Sequence, residues 1–403
     1  VILTLLDPVA NVAPTVDSFT IVGPGAASVD VGKIMRRGES PALVEISDGP
    51  AAAVSIAWAE SLLAGDRCVV SVPKVWYLTG GSTRVGTFTE LRLFNPFADV
   101  AEVTVTAYSE FGVDLVPELD GLEVAGRSWA TIEMESRLEF RDELAFTVTS
   151  SRGLVIPIIV RTDDRGEAIW PGSAPSSTWD FPIVTLGGLE PFIAVLSASG
   201  ADIVVSLDIV TETGVVLNAR QITLDSSAPA LIPLYDLAAP PFGVRLRASA
   251  PVAASVIAVV PVEDIDIVDV FGDDLGDDTT TTEASTTTTV TTFIRGMAGT
   301  VGIATPSSAW IVPLTTLPNN ETTLWVMNNG ADPVSVEAFA LGEVDFLGVE
   351  SFIVAPGTIV GVKVEVGIGI YGYHVIADGL VSVAWEMSGE RGAVLVAGVP
   401  ASE

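Results

Sequence analysis

A strand pattern that returns four times limits what this chain can become. In its fullest copy, within residues 74–112, Leu91 and Leu93 alternate with Glu90 and Arg92. Asn95-Pro96-Phe97-Ala98-Asp99 then interrupts, and alternation resumes with Val103, Val105 and Ala107 against Glu102, Thr104 and Thr106. Period-two patterning buries one face of a strand, and Pro, Asn and Asp between two such runs are turn formers, so the stretch predicts a β-hairpin. The turn returns as Asp7-Pro8-Val9-Ala10-Asn11, Ala198-Ser199-Gly200-Ala201-Asp202 and Asn328-Asn329-Gly330-Ala331-Asp332, with apolar residues before and Val-rich alternation after. Four copies make this a repeat protein.

Three of the copies follow an aromatic strand opener: Trp76-Tyr77, Trp179 and Trp310. All four precede a second pattern in which a polar turn separates two runs of Val, Ile and Ala. Those turns are Asp48-Gly49-Pro50, Ser151-Arg152-Gly153, Ser249-Ala250-Pro251 and Asp378-Gly379. A repeat of about 90 to 100 residues thus offers about seven short strands with turns roughly every 8 to 12 residues, the signature of an antiparallel sandwich. The predicted class is all-β: tandem Ig-like β-sandwich modules over 1–72 (lacking its first strand), 73–176, 177–268 and 303–403. Short junctions join them, and an acidic and Thr-rich linker is expected over 269–302.

The chain of 403 residues is 49% hydrophobic and 17% charged, enough for each module to bury a core. Its 51 acidic residues against 19 basic ones give a net charge of −32. Such a surface repels phosphate backbones and anionic lipid, which argues against nucleic-acid binding and membrane docking. The plainer reading of the acidity is a solvated surface; the sharper one is that part of it chelates Ca²⁺. The longest uncharged apolar stretch, Ala248 to Val262, is too short for a membrane-spanning helix and contains two internal prolines.

Catalytic signatures are missing. The single cysteine, Cys68, sits in the strand-like RCVVSV and reads as a buried thiol, and the single histidine, His374, reads as structural. No G-x-S-x-G elbow accompanies them, and one Cys with one His cannot build a zinc site. Gly80-Gly81-Ser82-Thr83 lacks the lysine and helix of a phosphate loop and reads as a turn. The alternating charges from Glu133 to Glu143 read as a solvated strap, and Lys33, Arg36 and Arg37 as part of a short helical crossover. The expectation is a non-enzyme with no catalytic residues and no cofactor apart from Ca²⁺.

Two segments carry candidate sites. Glu263 to Asp278 holds eight acids in sixteen residues, and Asp273, Asp274, Asp277 and Asp278 are the candidate Ca²⁺ ligands, because a hard cation takes oxygen donors. Their spacing does not match an EF-hand loop. Residues 279–292 hold ten threonines in fourteen positions and read as a linker whose Thr286, Thr287 and Thr288 are O-glycosylation candidates. Asn320-Glu321-Thr322 fits an N-glycosylation sequon. The chain opens inside a repeat: either a longer precursor precedes Val1, or a strand arrives from a neighbouring subunit.

The run Trp76-Tyr77-x-x-Gly80-Gly81-Ser82-Thr83, followed by Leu93-x-Asn95-Pro96, resembles a family of secreted actinobacterial β-repeat proteins of unknown function. The resemblance covers 74–112, and Trp179 and Trp310 lack the Gly-Ser-Thr loop. It implies an extracellular or cell-surface location and no known activity, and it carries over no functional residue. The Thr-rich tract is also similar to linkers of exported actinobacterial proteins. The resulting expectation is a structural component of a surface layer, sheath or fibre, partnered by its own copies or other surface proteins. The alternative is an adhesin or glycan-binding protein on a Thr-rich stalk.

Overall fold

A computed structural model describes residues 1–6, 14–21, 23–34, 41–47, 49–58, 63–164, 166–186, 188–260, 296–343, 345–364, 369–389 and 392–401. The protein is all-β, antiparallel and of sandwich type, in four consecutive modules. Module 1 comprises β1 (Ile2–Leu5), β2 (Thr15–Ser18), the one-turn helix α1 (Val31–Ile34), β3 (Ala42–Glu45), β4 (Val54–Trp58) and β5 (Leu63–Arg67). Module 2 comprises β6 (Val75–Gly81), β7 (Thr87–Asn95), β8 (Ala101–Ser109), β9 (Gly112–Asp114), β10 (Leu122–Val124), β11 (Ser128–Glu133), β12 (Leu144–Arg152), β13 (Ile156–Asp163) and β14 (Glu167–Pro171). Module 3 comprises β15 (Ser176–Phe181), β16 (Glu190–Ser197), β17 (Ile203–Thr211), β18 (Gly214–Leu224), β19 (Ala230–Pro233), β20 (Phe242–Val259) and β21 (Ala298–Val301). Module 4 comprises β22 (Ser307–Thr316), β23 (Asn320–Asn328), β24 (Val334–Leu341), β25 (Phe346–Val354), β26 (Thr358–Lys363), β27 (Gly369–Gly389), β28 (Gly392–Ala397) and β29 (Val399–Pro400).

Module 2 is the reference. Its sheets run β10-β8-β12-β6 and β11-β7-β13-β14. The alternation read in the sequence is borne out strand by strand: β8 buries Ala101, Val103, Val105 and Ala107 and half-exposes the residues between. Fully buried Phe146, Trp170, Leu91 and Leu93 fill the module, and each large side chain contributes about 1.5–3 kcal/mol. The expected hairpin, however, does not form. β7 pairs with β11 and β13, whereas β8 pairs with β10 and β12, so 96–100 carries the chain from one sheet to the other. Asn95 holds this corner: its Nδ2 donates to the carbonyls of Asp99 (2.8 Å) and Val124 (3.1 Å), and its Oδ1 accepts from the Phe97 amide. Asn328 repeats the arrangement with Asp332, Val354 and Gly330. Ser197 does part of the same work, accepting from the Ser199 amide and donating to the Ala201 carbonyl.

Modules 3 and 4 follow the same order with one change. The turns expected at Ser249-Ala250-Pro251 and Asp378-Gly379 are bends inside single long strands. The first half of β20 pairs with β15 and β17, and its second half with β16 and β21. β27 likewise pairs with β22 and β24, then with β23 and β28. A strand that switches sheets at a bend makes the corner of a sandwich without a loop. The opener tryptophans seal that bend: Trp179 Nε1 donates to the Val252 carbonyl and Trp310 Nε1 to the Val381 carbonyl. In module 2, where β12 and β13 are separate strands, Trp76 Nε1 has no such partner.

Module 1 differs. β1 lies between β2 and β3, as β8 lies between β10 and β12, so β1 matches β8 rather than the strand before a corner. β4 and β5 match β13 and β14. The turn read at Asp7–Asn11 lies outside the described residues. Among the described residues nothing matches β6 or β7.

The modules are not beads on a string. β5 packs on β14 and β28, and β21 packs on the same two, so one late strand from each module takes part in a closed four-membered ring. Glycines permit the contact. A Cβ on Gly166 would fall 2.7 Å from Gly296, one on Gly296 would fall 2.5 Å from Gly392, and one on Gly392 would touch Leu63. One hydrophobic cluster runs through modules 2 and 3 into the inner face of module 4. The expected linker over 269–302 is corrected at its end. Residues 298–301 are β21, a buried strand whose Ala298 pairs with Ala258 of β20. The acidic and Thr-rich tract is therefore inserted between two paired strands of module 3, not placed between modules.

Candidate functional site

The candidate Ca²⁺ ligands Asp273, Asp274, Asp277 and Asp278 and the candidate glycosylation residues Thr286, Thr287 and Thr288 lie outside the described residues. Asn320 opens β23, and both polar atoms of its amide are buried, packed over Gly389. Among the described residues no three His, Cys, Asp or Glu side chains gather as metal ligands would. No helix there is long and apolar enough to cross a membrane.

The polar chemistry that the fold brings together lies at the module junctions. Between modules 2 and 3, the Thr79 and Ser255 hydroxyls meet at 2.7 Å, and the Thr79 carbonyl accepts from Ser255 Oγ and from Trp170 Nε1. Between modules 3 and 4, Ser382 Oγ donates to Asp180 Oδ2 at 2.8 Å, while Arg245 lies 3.6 Å from Asp180 Oδ1 and donates to the Asn329 carbonyl. At the ring centre Thr300 of module 3 donates to the buried Asp66 carboxylate of module 1, and Arg67 donates to the Gly398 carbonyl of module 4. Each hydroxyl–carboxylate or hydroxyl–hydroxyl pair crosses a junction between packed modules and ties one strand position to another, so each helps fix the register of neighbouring modules.

Burial shifts these groups. It raises the Asp66 carboxyl to about 7 despite the Arg67 charge and amide and the Thr300 hydroxyl. It also raises Asp180 against the opposing pull of Arg245, and Glu386 to about 7. It lowers Arg161, whose guanidinium donates to the Gly80 carbonyl, to about 10. A carboxyl near 7 inside a cleft would suit acid–base work, but Asp66 sits in packed strands with Thr300 as its hydroxyl partner. Cys68 is pushed up to about 11 by burial and then by Asp66, so it stays a thiol and not a nucleophilic thiolate. His374 lies on β27 of module 4 with its ring 6.4 Å from that of Phe339, whereas Cys68 follows β5 of module 1.

The Gly80–Thr83 loop uses up its own polar groups. Thr89 Oγ1 accepts from the Ser82 amide and donates to the Ser82 carbonyl, Ser82 Oγ donates to the Arg141 carbonyl, and Thr83 Oγ1 donates to that of Leu138. The 133–143 strap is anchored rather than free: Met134 and Leu138 are buried, and Arg141 pairs with Asp114 at 2.9 Å. α1 overlaps the expected crossover, with Lys33 paired to Asp30 at 3.3 Å; Arg36 and Arg37 lie outside the described residues.

The outer surface offers two further features. A shallow depression of about 450 Å³ on module 4 is lined by Glu337, Asp378, Phe352, Ile353 and Ile376. The edge strands β18 and β25 point apolar side chains outward: Val215, Val216 and Leu217 on one, Phe346, Leu347, Val349 and Ile353 on the other. No motif in the sequence marked the junction residues or these apolar edges.

The profile of a family of unknown function, DUF5719, matches residues 31–270, more than half of the chain. No curated protein and no solved structure matches.

Proposed function

The chain belongs to the DUF5719 family of unknown function, and from that premise we propose that it is a non-enzymatic structural component of a cell-surface assembly, located outside the cell. The observation that carries the reading is the pair of open apolar edges β18 and β25 on a body whose inter-module contacts already close on themselves. An edge strand with unpaired backbone groups and outward apolar residues is a template for pairing with another chain. A closed ring cannot grow by adding modules, so lateral edges are where copies would meet. The secreted actinobacterial resemblance and the Thr-rich tract support the location. With a net charge of −32, copies repel one another, and divalent cations held by the 263–278 acids would offset this.

Size-exclusion chromatography with light scattering, in millimolar Ca²⁺ and again in EDTA, tests the reading. Large species that dissolve on chelation are expected; a monomer in both conditions would overturn it. The second reading, an adhesin or glycan-binding protein, is favoured by exposed loop aromatics on module 2: Phe97, Phe111 and Phe140. Arg141 lies 5.1 Å over the Phe111 ring. A monomer that binds a defined glycan would decide for it.

A further inference from the structure

Strand register makes modules 3 and 4 comparable residue by residue. Val205 pairs with Ala248 in one and Val336 with Ala377 in the other, so Leu207 of β17 matches Ala338 of β24. Their partners on the edge strands, Arg220 of β18 and Glu350 of β25, therefore hold the same place. In module 3 the edge charge is met inside the module: Arg220 pairs with Asp236 at 2.7 Å and donates to the Pro233 carbonyl. Two acids of the same sheet are met as well, Asp208 by Arg247 at 2.8 Å and Asp180 by Arg245 at 3.6 Å. Both arginines come from the alternating run Val244-Arg245-Leu246-Arg247 of β20.

Module 4 carries acids on this sheet without such bases. The residues of β27 that match Arg245 and Arg247 are His374 and Ile376. Lys363, paired with Glu321 at 3.6 Å, is the sole Lys or Arg among the described residues of the module. Glu337, Glu350 and Asp378 are exposed and make no ion pair among the described residues. β25 is also bare on its far side, where no described strand pairs with it. Along one face it exposes Val349 (47%) and Ile353 (67%), and Glu350 lies between them on the other face. Ile353 helps line the depression of about 450 Å³, together with Ile376, Glu337 and Asp378.

We propose that the β25 edge receives an extended strand of another protein in which apolar residues alternate with Lys or Arg. The strand adds antiparallel, as β24 does on the opposite side. Its apolar side chains lie beside Val349 and Ile353, and a base between them lies beside Glu350 at the roughly 5 Å spacing of directly opposed residues. The occupant supplies from outside the kind of base that β20 supplies within module 3. A second copy does not offer such a strand: its β20 lies inside a sheet, Arg220 of its open edge is held by Asp236, and two bodies of net charge −32 repel. The proposal rests on the surface-assembly reading only in taking β25 as a contact edge, and it leaves β18 to the copies.

The probe is a labelled peptide as long as β25 with alternating Val and Lys, titrated into the intact chain in EDTA. Saturable binding is expected, with slowed amide exchange confined to 346–354. Glu350→Arg, at an exposed position, is expected to weaken binding about tenfold or more and to accept a Val/Glu peptide that the unaltered chain refuses. A peptide of the same composition with its valines and lysines in two blocks is expected not to protect 346–354. Equal binding of the block peptide would reduce the contact to bulk attraction between opposite charges and overturn the proposal. Absent binding, protection confined to other strands, or an unchanged affinity in Glu350→Arg would do the same. A light-scattering mass that shifts with Glu350→Arg while no peptide binds would give the edge to a second copy, which also overturns it. Because the titration needs no self-assembly, a chain that stays monomeric with and without Ca²⁺ overturns the surface role and leaves this result standing.

Discussion

At the scale of single residues, the corner asparagines carry more of the fold than their turn-forming character suggests. Asn95 is fully buried and uses both ends of its amide to tie the crossing segment to itself and to the end of β10. Asn95→Ala leaves the buried Val124 carbonyl and the partly buried Asp99 carbonyl without this donor, and the expected loss is about 2–3 kcal/mol, measured by chemical denaturation. Asn95→Ser is expected to lose roughly half of that, because Ser197 holds the equivalent corner of module 3 through a hydroxyl alone. If serine and alanine cost the same, the side-chain bonds are not what holds the corner. The residue types of the turn were legible in the sequence; its consequence was not. Alternation records which face of a strand is buried, and that parity is identical whether the next strand lies alongside or in the opposite sheet. The partner that separates the two cases, the Val124 carbonyl, is 29 residues away.

Elements reveal the same limit from the other side. Pro251 and Gly379 are breakers in any local reading, yet each falls within a single strand, because a bend that passes the strand from one sheet to the other needs the same residues as a turn. The strands themselves and their openers were legible from periodicity. The buried acids were not, since Asp66 in LAGDRC looks like an ordinary surface position until β21 arrives 234 residues later. Its chemistry predicts how β5 behaves with pH. The folded-state pKa of Asp66 lies near 7, above its unfolded value of 3.8, so folding binds a proton more tightly than unfolding does. The contribution is present in full below about pH 4 and is lost as pH rises through 7. Asp66→Asn, which keeps an acceptor for Thr300, is expected to flatten the fall of Tm between pH 4.5 and 8 and to raise Tm at the alkaline end. An unchanged slope would place the titration elsewhere, with Glu386, also near 7, the next group to substitute.

For the whole molecule, the pairing of Ala258 with Ala298 means that the chain leaves module 3 after β20 and re-enters it beside the same strand. In sequence, 261–295 connects two paired strands of one sandwich. β21, which follows that segment, fills a position in the central ring and touches β14, β28 and β5. A protease that cuts within the Thr-rich tract would therefore divide the covalent chain without dividing the body. Denaturing electrophoresis is expected to show two bands, while gel filtration shows one species of undiminished size; separation of the halves would mean that β21 is not held. Such a nicked molecule is a heterodimer by ancestry of a single gene product, with its interface already folded before the cut. Its two polypeptides could then rejoin after unfolding only by finding each other in solution, which makes recovery dependent on concentration where the uncut chain's is not.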